Sequence, residues 1–439
     1  MPKPFKYWKV EDLAGHWKGA IKIGPFGSQL RKEEMVEIGR KVYGQENVIA
    51  EDWSLGERRI TESKFRSLQS CELQPGDVVV SMMGTVGKCS IFPTDVETGI
   101  MDSHLLRIQP NQNVIKRDFL ARVLQAENIV GRQVAAKCHG SIMAGLSSGI
   151  VRSFEIPLPP INEQPIIVSI LDTLDTTIRQ TEAIIAKLQQ MKQGVLHDLL
   201  TRGIGANGNL RPFAEEAPHL YKESPLGLIP KEWEVTPLEK CAYVTKLAGF
   251  EYTNYFDYAK GGEITVVRVL NIKAGTLDLT DIHKIPRSTS NLLPRSKLFA
   301  GDLVLSYVGT IGQVAIIPDD NKFHLAPNVA KISVNKSILE PKFLCLYLVS
   351  EYGKKRLINL ATITSQPSIS MSRVRQLLVP VPSLSEQNTA AKIIDSINNQ
   401  LNIESEKHGK LTSKKSGLMD DILTGHVRVT PLLKDRTES

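Results

Sequence analysis

The chain has 439 residues, 41% of them hydrophobic and 23% charged, with a formal net charge of +7 and a pI near 9.0. That length exceeds what a single hydrophobic core serves, so two or more domains are expected, and the composition excludes a disordered or fibrous protein. Moderate basicity favours a polyanionic partner without specifying which.

Five scattered cysteines (Cys71, Cys89, Cys138, Cys241, Cys345) form no CxxC pair and have no histidine spaced as a co-ligand. This predicts reduced thiols rather than a disulfide frame or zinc site. The opening MPKPFKYWKV has no apolar core of a signal peptide, and no run of roughly eighteen apolar residues occurs. The expectation is a soluble, cytoplasmic protein without a membrane segment.

In chain order, residues 1–158 read as a mixed domain of short strands and Gly-rich turns. Their clearest signal is PGDVVVSMMGTVGKCSIFP (75–93), a β-branched run, a Gly-Thr-Val-Gly turn and a second run, the pattern of a hairpin. Residues 159–202 read as a long helix. Positions 167, 171, 174, 178, 181, 185, 188, 192, 195 and 199 step by four and three, and eight of the ten are apolar. This is the seam of a coiled coil, with Ile167, Leu171, Leu174, Ile178, Ile185 and Leu188 as its apolar positions, and it requires a partner helix.

Residues 203–230 are rich in Gly, Pro, Asn and Glu and read as a surface linker. The first half then recurs. AGDLVLSYVGTIGQVAIIP (300–318) matches 75–93 at nine of nineteen positions, Trp8 recurs as Trp233, and Gly24 falls opposite Gly249. Residues 231–382 are therefore a second copy of the domain, and 383–425 a second long helix. Ile394, Ile397, Leu401, Leu411 and Leu418 occupy its seam at an offset of 223, and IPLPPINEQ (156–164) matches VPVPSLSEQ (379–387). The fold class is α+β, a tandem duplication of a mixed domain plus a long helix. Residues 426–439 read as a loosely held tail.

Catalytic signals are missing. Gly84-Thr85-Val86-Gly87-Lys88 lacks the spacing of a phosphate loop, and the second copy has Gln313 in place of the lysine. No GxGxxG opens a helix and the nine histidines form no ligand cluster, so neither cofactor nor metal is expected. Binding remains. The copies diverge most at 20–70 against 245–295, and at 125–150 against 350–372. Here basic, amide and aromatic residues interleave: Lys22, Ser28, Gln29, Arg31, Lys32, Tyr43, Gln45 and Asn47, then Tyr252, Asn254, Tyr255, Arg268 and Asn271. Lys and Arg neutralise phosphates, and Arg, Asn and Gln can read base edges. Solvated loops carry the same residue types.

With these features assembled, the chain closely resembles the DNA specificity subunit (HsdS) of type I restriction–modification systems. The resemblance rests on Gly24-Pro25-Phe26-Gly27-Ser28-x-Leu30, Val42-Tyr43-Gly44-Gln45-x-Asn47-Val48, Pro75-Gly76-Asp77, the Gly-Thr-x-Gly turns, the Pro-Leu-Pro-Pro-x-x-Glu-Gln run and Gly227-Leu228-Ile229-Pro230-Lys231-x-Trp233. It covers nearly the whole chain.

The resemblance implies two target-recognition domains, each reading half of a split asymmetric site in double-stranded DNA. It implies long helices packed as an antiparallel coiled coil, a spacer that docks two methyltransferase subunits. Adenine methylation and ATP-driven restriction would then belong to partner subunits, this chain being non-catalytic. Further DNA-binding candidates are Lys88 with Gln313, and Lys137, His139 and Ser141 opposite Thr362, Thr364 and Ser365. Lys192 and Lys415, at equivalent seam positions, either snorkel at the helix ends or contact a methyltransferase subunit. Two other classes stay open: a stand-alone DNA-binding regulator, which would bind its site tightly without partners, and an enzyme, which would bind a cofactor.

Overall fold

The computed structural model describes residues 3–83, 87–137, 146–256, 262–362 and 367–434. The chain forms two compact units, 1–182 with 406–439, and 183–405. Each combines one globular domain with half of both long helices.

In the first unit, Ile21–Ile23, Leu105–Ile108, Val78–Ser81 and Cys89–Ile91 form, in that spatial order, an antiparallel sheet. The run Val78-Val79-Val80 is buried on both faces. Val78 and Val80 pack with Leu106, Phe119 and the long helices, while Val79 packs with Tyr43, Phe92 and Ile100. This two-sided burial explains why the sequence shows a continuous apolar run rather than alternation. A second sheet holds Met35–Val36, Arg59–Ile60, Arg40–Tyr43 and Gly99–Met101, the last two parallel.

The second unit repeats the plan. Ala242–Lys246, Val329–Val334, Leu303–Ser306 and Val314–Ile316 form the antiparallel sheet. His283–Ile285, Ile264–Val267, Phe323–Leu325 and Lys297–Leu298 form the other, whose parallel pair, Ile264–Val267 with Phe323–Leu325, is central rather than at the edge. Both predicted hairpins are present. In the second, Gly309 (φ 77°) and Gly312 (φ 81°) adopt left-handed backbone, which a β-carbon would strain. The turns close on a serine: Lys88 N–H donates to Ser81 Oγ (3.1 Å) and Gln313 N–H to Ser306 Oγ (2.9 Å).

The long helices span Gln164–Thr201 and Leu384–Thr424. They run antiparallel, so each unit joins the start of one to the end of the other. Ile167 and Leu171 share a core with Leu418 and Ile422, and Leu196 and Leu199 share one with Ile394, Ile397 and Leu401. Lys415 Nζ reaches Asp175 Oδ1 (2.5 Å), whose other oxygen meets Arg122 Nη1 (2.6 Å), so this seam lysine is neutralised within the chain. Lys192 is half-buried. His408 Nε2 lies 2.9 Å from Glu182.

The Glu-Gln pair that opens each long helix fastens it to its domain. Gln164 accepts from Lys116 N–H (2.7 Å) and donates to Val114 O and Pro159 O; Gln387 accepts from Glu340 N–H (2.7 Å) and donates to Ile338 O and Pro382 O. The segments after the helices are anchored too. Ile204 and Tyr221 are buried in the linker region, and Arg211 pairs with Glu386. The expectation of a loose tail is corrected for 426–434: Val429 is buried and Arg428 and Thr430 bind Glu163, because that buried carboxylate needs donors.

Candidate nucleic-acid interface

One end of each antiparallel sheet gathers the divergent loops. In the first unit Gly24 N–H donates to Leu105 O (3.0 Å), Met82 N–H to His104 O (2.8 Å) and Leu146 N–H to Met82 O (2.8 Å). The second sheet joins this rim through Asp102 N–H to Tyr43 O (2.9 Å) and Val42 N–H to Arg58 O (2.9 Å). In the second unit Tyr307 N–H donates to Asn328 O, Ile369 N–H to Tyr307 O, Gly309 N–H to Pro367 O and Ala326 N–H to Val267 O. Stretches far apart in sequence therefore meet at one edge in each domain.

Several predicted residues shape this rim from within. Asn47 is fully buried; it accepts from Gly44 N–H (2.9 Å) and donates to Asp52 O (3.1 Å) and Leu55 O (2.9 Å). Asn271 does the same work, accepting from Arg268 N–H (3.1 Å) and donating to Asp278 O (2.9 Å) and Asp281 O (2.7 Å). Tyr43 is fully buried edge-on to Trp53 and Phe92, its hydroxyl donating to Glu97 O, and burial pushes its pKa up to about 12. These three side chains are out of reach of a nucleic acid, which corrects the expectation that they contact one. Their polar atoms instead satisfy backbone groups of loops that have no strand partner.

The two loops after the first strand share a cap. Phe26 N–H donates to Gln29 Oε1 (3.2 Å) and Ala248 N–H to Glu251 Oε2 (2.8 Å). Gly249 is thus the counterpart of Gly27, and the pairing of Gly24 with Gly249 is corrected by three residues. Ser28, Arg31, Lys32 and Lys88 are exposed, as are Asn254 and Tyr255 on the helix Gly249–Tyr255. Lys22 lies opposite Arg107 in the strand register, and both line an open cleft of about 510 Å³ with Lys18.

Other side chains are engaged within the domain. Lys137 Nζ donates to Ser153 O (3.0 Å) and Oγ (2.8 Å), Tyr252 packs on Phe256, and Thr362 Oγ1 donates to Ser368 O (3.1 Å). Gln45 is half-buried, and its Oε1 is buried without a hydrogen-bond partner; Gln313 is half-buried beside its turn. His139, Ser141, Thr364 and Ser365 lie outside the described residues.

Sequence reading missed Glu46, Arg58, Asp102 and His104. Arg58 Nη1 donates to Asp102 Oδ2 (2.8 Å) and Nη2 to Glu46 Oε1 (2.8 Å), while His104 N–H donates to Asp102 Oδ1 (2.9 Å). The available signal was the Gly44 motif, whose side-chain-free corner the Arg58 guanidinium occupies. Exposed cations and amides on a rigid sheet end suit recognition of a polyanion bearing hydrogen-bonding edges. Among the described residues no group of His, Cys, Asp and Glu has the arrangement of a metal site, and no helix is long and apolar enough to cross a membrane.

Residues 27–190 and 230–413 each match the type I restriction modification DNA specificity domain. The chain belongs to this family. Curated relatives of the specificity chain include the type I restriction enzyme MjaVIII specificity subunit of Methanocaldococcus jannaschii, 26% identical over 339 residues and covering 76% of each chain. The EcoBI specificity subunit of Escherichia coli is 26% identical over 395 residues, covering 82% of this chain and 79% of its own. The fold resembles the crystal structure of the type I S subunit from M. genitalium (TM-score 0.53, 13% identity, covering 94% and 95% of the two chains). It also resembles a chain from a study of type I complex assembly and conformational transition (TM-score 0.52, 14% identity, 97% and 99%). The tandem fold expected from the duplication is thereby shared with a solved type I S subunit.

Proposed function

We propose that this specificity subunit is the non-catalytic reader of a type I restriction–modification complex acting on double-stranded DNA in the cytoplasm. Each globular domain reads one half of a bipartite, asymmetric duplex site. The long helices set the unread spacer and dock two methyltransferase subunits, through which restriction subunits join. The observation that carries the reading is that two domains of one plan present the same rim with unlike side chains: Arg58 and His104 in one, His283 and Asn328 in the other. A shared scaffold with different donors is what two different half-sites require. Lys22, Arg31, Lys32 and Lys88 supply phosphate contacts in the first domain. Methylation and restriction reside in the partner subunits. The family match disfavours the stand-alone regulator.

The test is co-expression with the cognate methyltransferase subunit and mapping of N6-methyladenine in host DNA. A split motif with fixed spacer, absent when this chain is omitted, is the expected result. Methylation at an undivided motif, or independent of this chain, would overturn it.

A further inference from the structure

The loops on which the two domains differ most end at an equivalent corner, and an arginine fills it in each. The equivalence is fixed by hydrogen bonding. Asn47 binds the N–H of Gly44 and Asn271 that of Arg268, so Gly44 and Arg268 correspond. Three residues earlier, Lys41 pairs with Arg59 and Thr265 with Lys284, so Arg58 corresponds to His283.

In the first domain the corner residue is glycine and the guanidinium arrives from the returning strand. A β-carbon on Gly44 would lie 2.0 Å from Arg58 Nη2. That position must be bare for Arg58 to bind Asp102 and Glu46 (both 2.8 Å). In the second domain the delivery is reversed. Arg268 stands where glycine stood, its Nη2 donates to Asp281 O (2.9 Å) and lies 3.0 Å from Asp281 Oδ1, and its Nη1 is 3.3 Å from His283 Nε2. Two unrelated local sequences thus deliver the same chemical group to the same place.

We propose that Arg58 and Arg268 are the base-reading donors of their domains, Arg58 presenting its remaining N–H groups and Arg268 the outer N–H of Nη1, its Nε being buried, to a guanine edge in the major groove. This rests on the DNA-reading function proposed above. Two features favour a base over a phosphate. Arg58 is already neutralised by two carboxylates, which repel the full charge of a phosphate far more than the uncharged O6 and N7 acceptors of guanine. Asp102, whose side chain is only 7% exposed, also fixes the guanidinium plane while leaving Arg58 38% exposed. Such pre-orientation serves directional hydrogen bonds more than bulk attraction.

The experiment compares methylation maps of the intact complex carrying wild-type chain, Arg58→Ala, Arg58→Lys or Arg268→Ala. Arg58→Lys keeps a cation beside Asp102 but removes the planar fork, so it controls for folding. The expected result is that both Arg58 variants relax one guanine-bearing position of one half-site, lowering discrimination there by about 5- to 150-fold, with the other half unchanged. Arg268→Ala should do the converse. Unchanged motifs, or uniformly weaker methylation at an unchanged motif, would overturn the proposal and mark a structural or phosphate contact. So would loss of all methylation by Arg58→Ala with a wild-type motif from Arg58→Lys. A wild-type map lacking a two-part motif would instead overturn the DNA-reading function itself.

Discussion

Glu386 Oε1 accepts a hydrogen bond from Arg211 Nη1 at 2.7 Å across 175 positions of sequence, joining the segment after the first long helix to the first turn of the second. The same oxygen accepts from Ile204 N–H (2.6 Å) and Trp233 Nε1 (3.1 Å). Glu163 and Arg428 form the matching contact in the other unit. Each domain is therefore closed by chain from beyond the opposite helix. Arg211 and Glu386 are both buried, so Glu386→Gln strands a cation whose other partner, Glu232, is largely exposed. Breaking a buried pair this way costs about 3–5 kcal/mol. Denaturant unfolding should show that loss in the second unit, with the first unit's transition unmoved; Arg428→Ala should show a smaller loss in the first, since that side chain is 32% exposed.

Asn47 and Asn271 each satisfy three backbone groups of a rim loop. Replacing either with alanine should destabilise its own domain by about 1–3 kcal/mol per group left unpaired. Methylation should weaken without any change of preferred base. A switched base preference in an otherwise stable variant would contradict the framework role.

Asp175 carries a pH dependence with a defined sign. Burial raises its pKa, but the hydrogen bond from Lys415 and the charge of Arg122 outweigh that, and the net shift is below the ordinary value of 3.8. A depressed carboxylate contributes stability that is present above its unfolded value and lost as pH falls through the lower folded value. Asp175→Asn should therefore melt earlier than wild type at neutral pH, the gap closing below about pH 4. A gap that persists at pH 2 would show that packing, not charge, holds the site.

The seam repeats every seven residues, so seven residues can be added without breaking it. Inserting one heptad after Glu182 and a matching one after Ser405 adds about 10 Å to each helix, close to three base steps. The methylation map should keep both half-motifs and gain about three unread base pairs between them. An unchanged spacer would rule out the helices as its ruler.

Periodicity and self-comparison were legible in the sequence because they reflect local rules repeated along the chain. The seam of Ile167, Leu171, Ile394 and Leu418, the two hairpins, and the duplication all follow from which positions must be apolar or glycine. The loops were not legible. Asn47 and Asn271 looked like surface amides, yet a loop without strand partners must satisfy its backbone from some buried side chain, and composition does not say which. Arg58 went unnoticed because its importance lies in Gly44, Glu46 and Asp102, brought beside it only by the parallel strand pair of the second sheet. Two dissimilar stretches could share one plan because backbone hydrogen bonds set the loop path while exposed side chains remained free to differ. Sequence alone determined the repeated frame, since burial and period constrain it residue by residue. Tertiary structure alone decided the arginine-filled corner, since a guanidinium can reach it from either strand and only three-dimensional packing shows that both do.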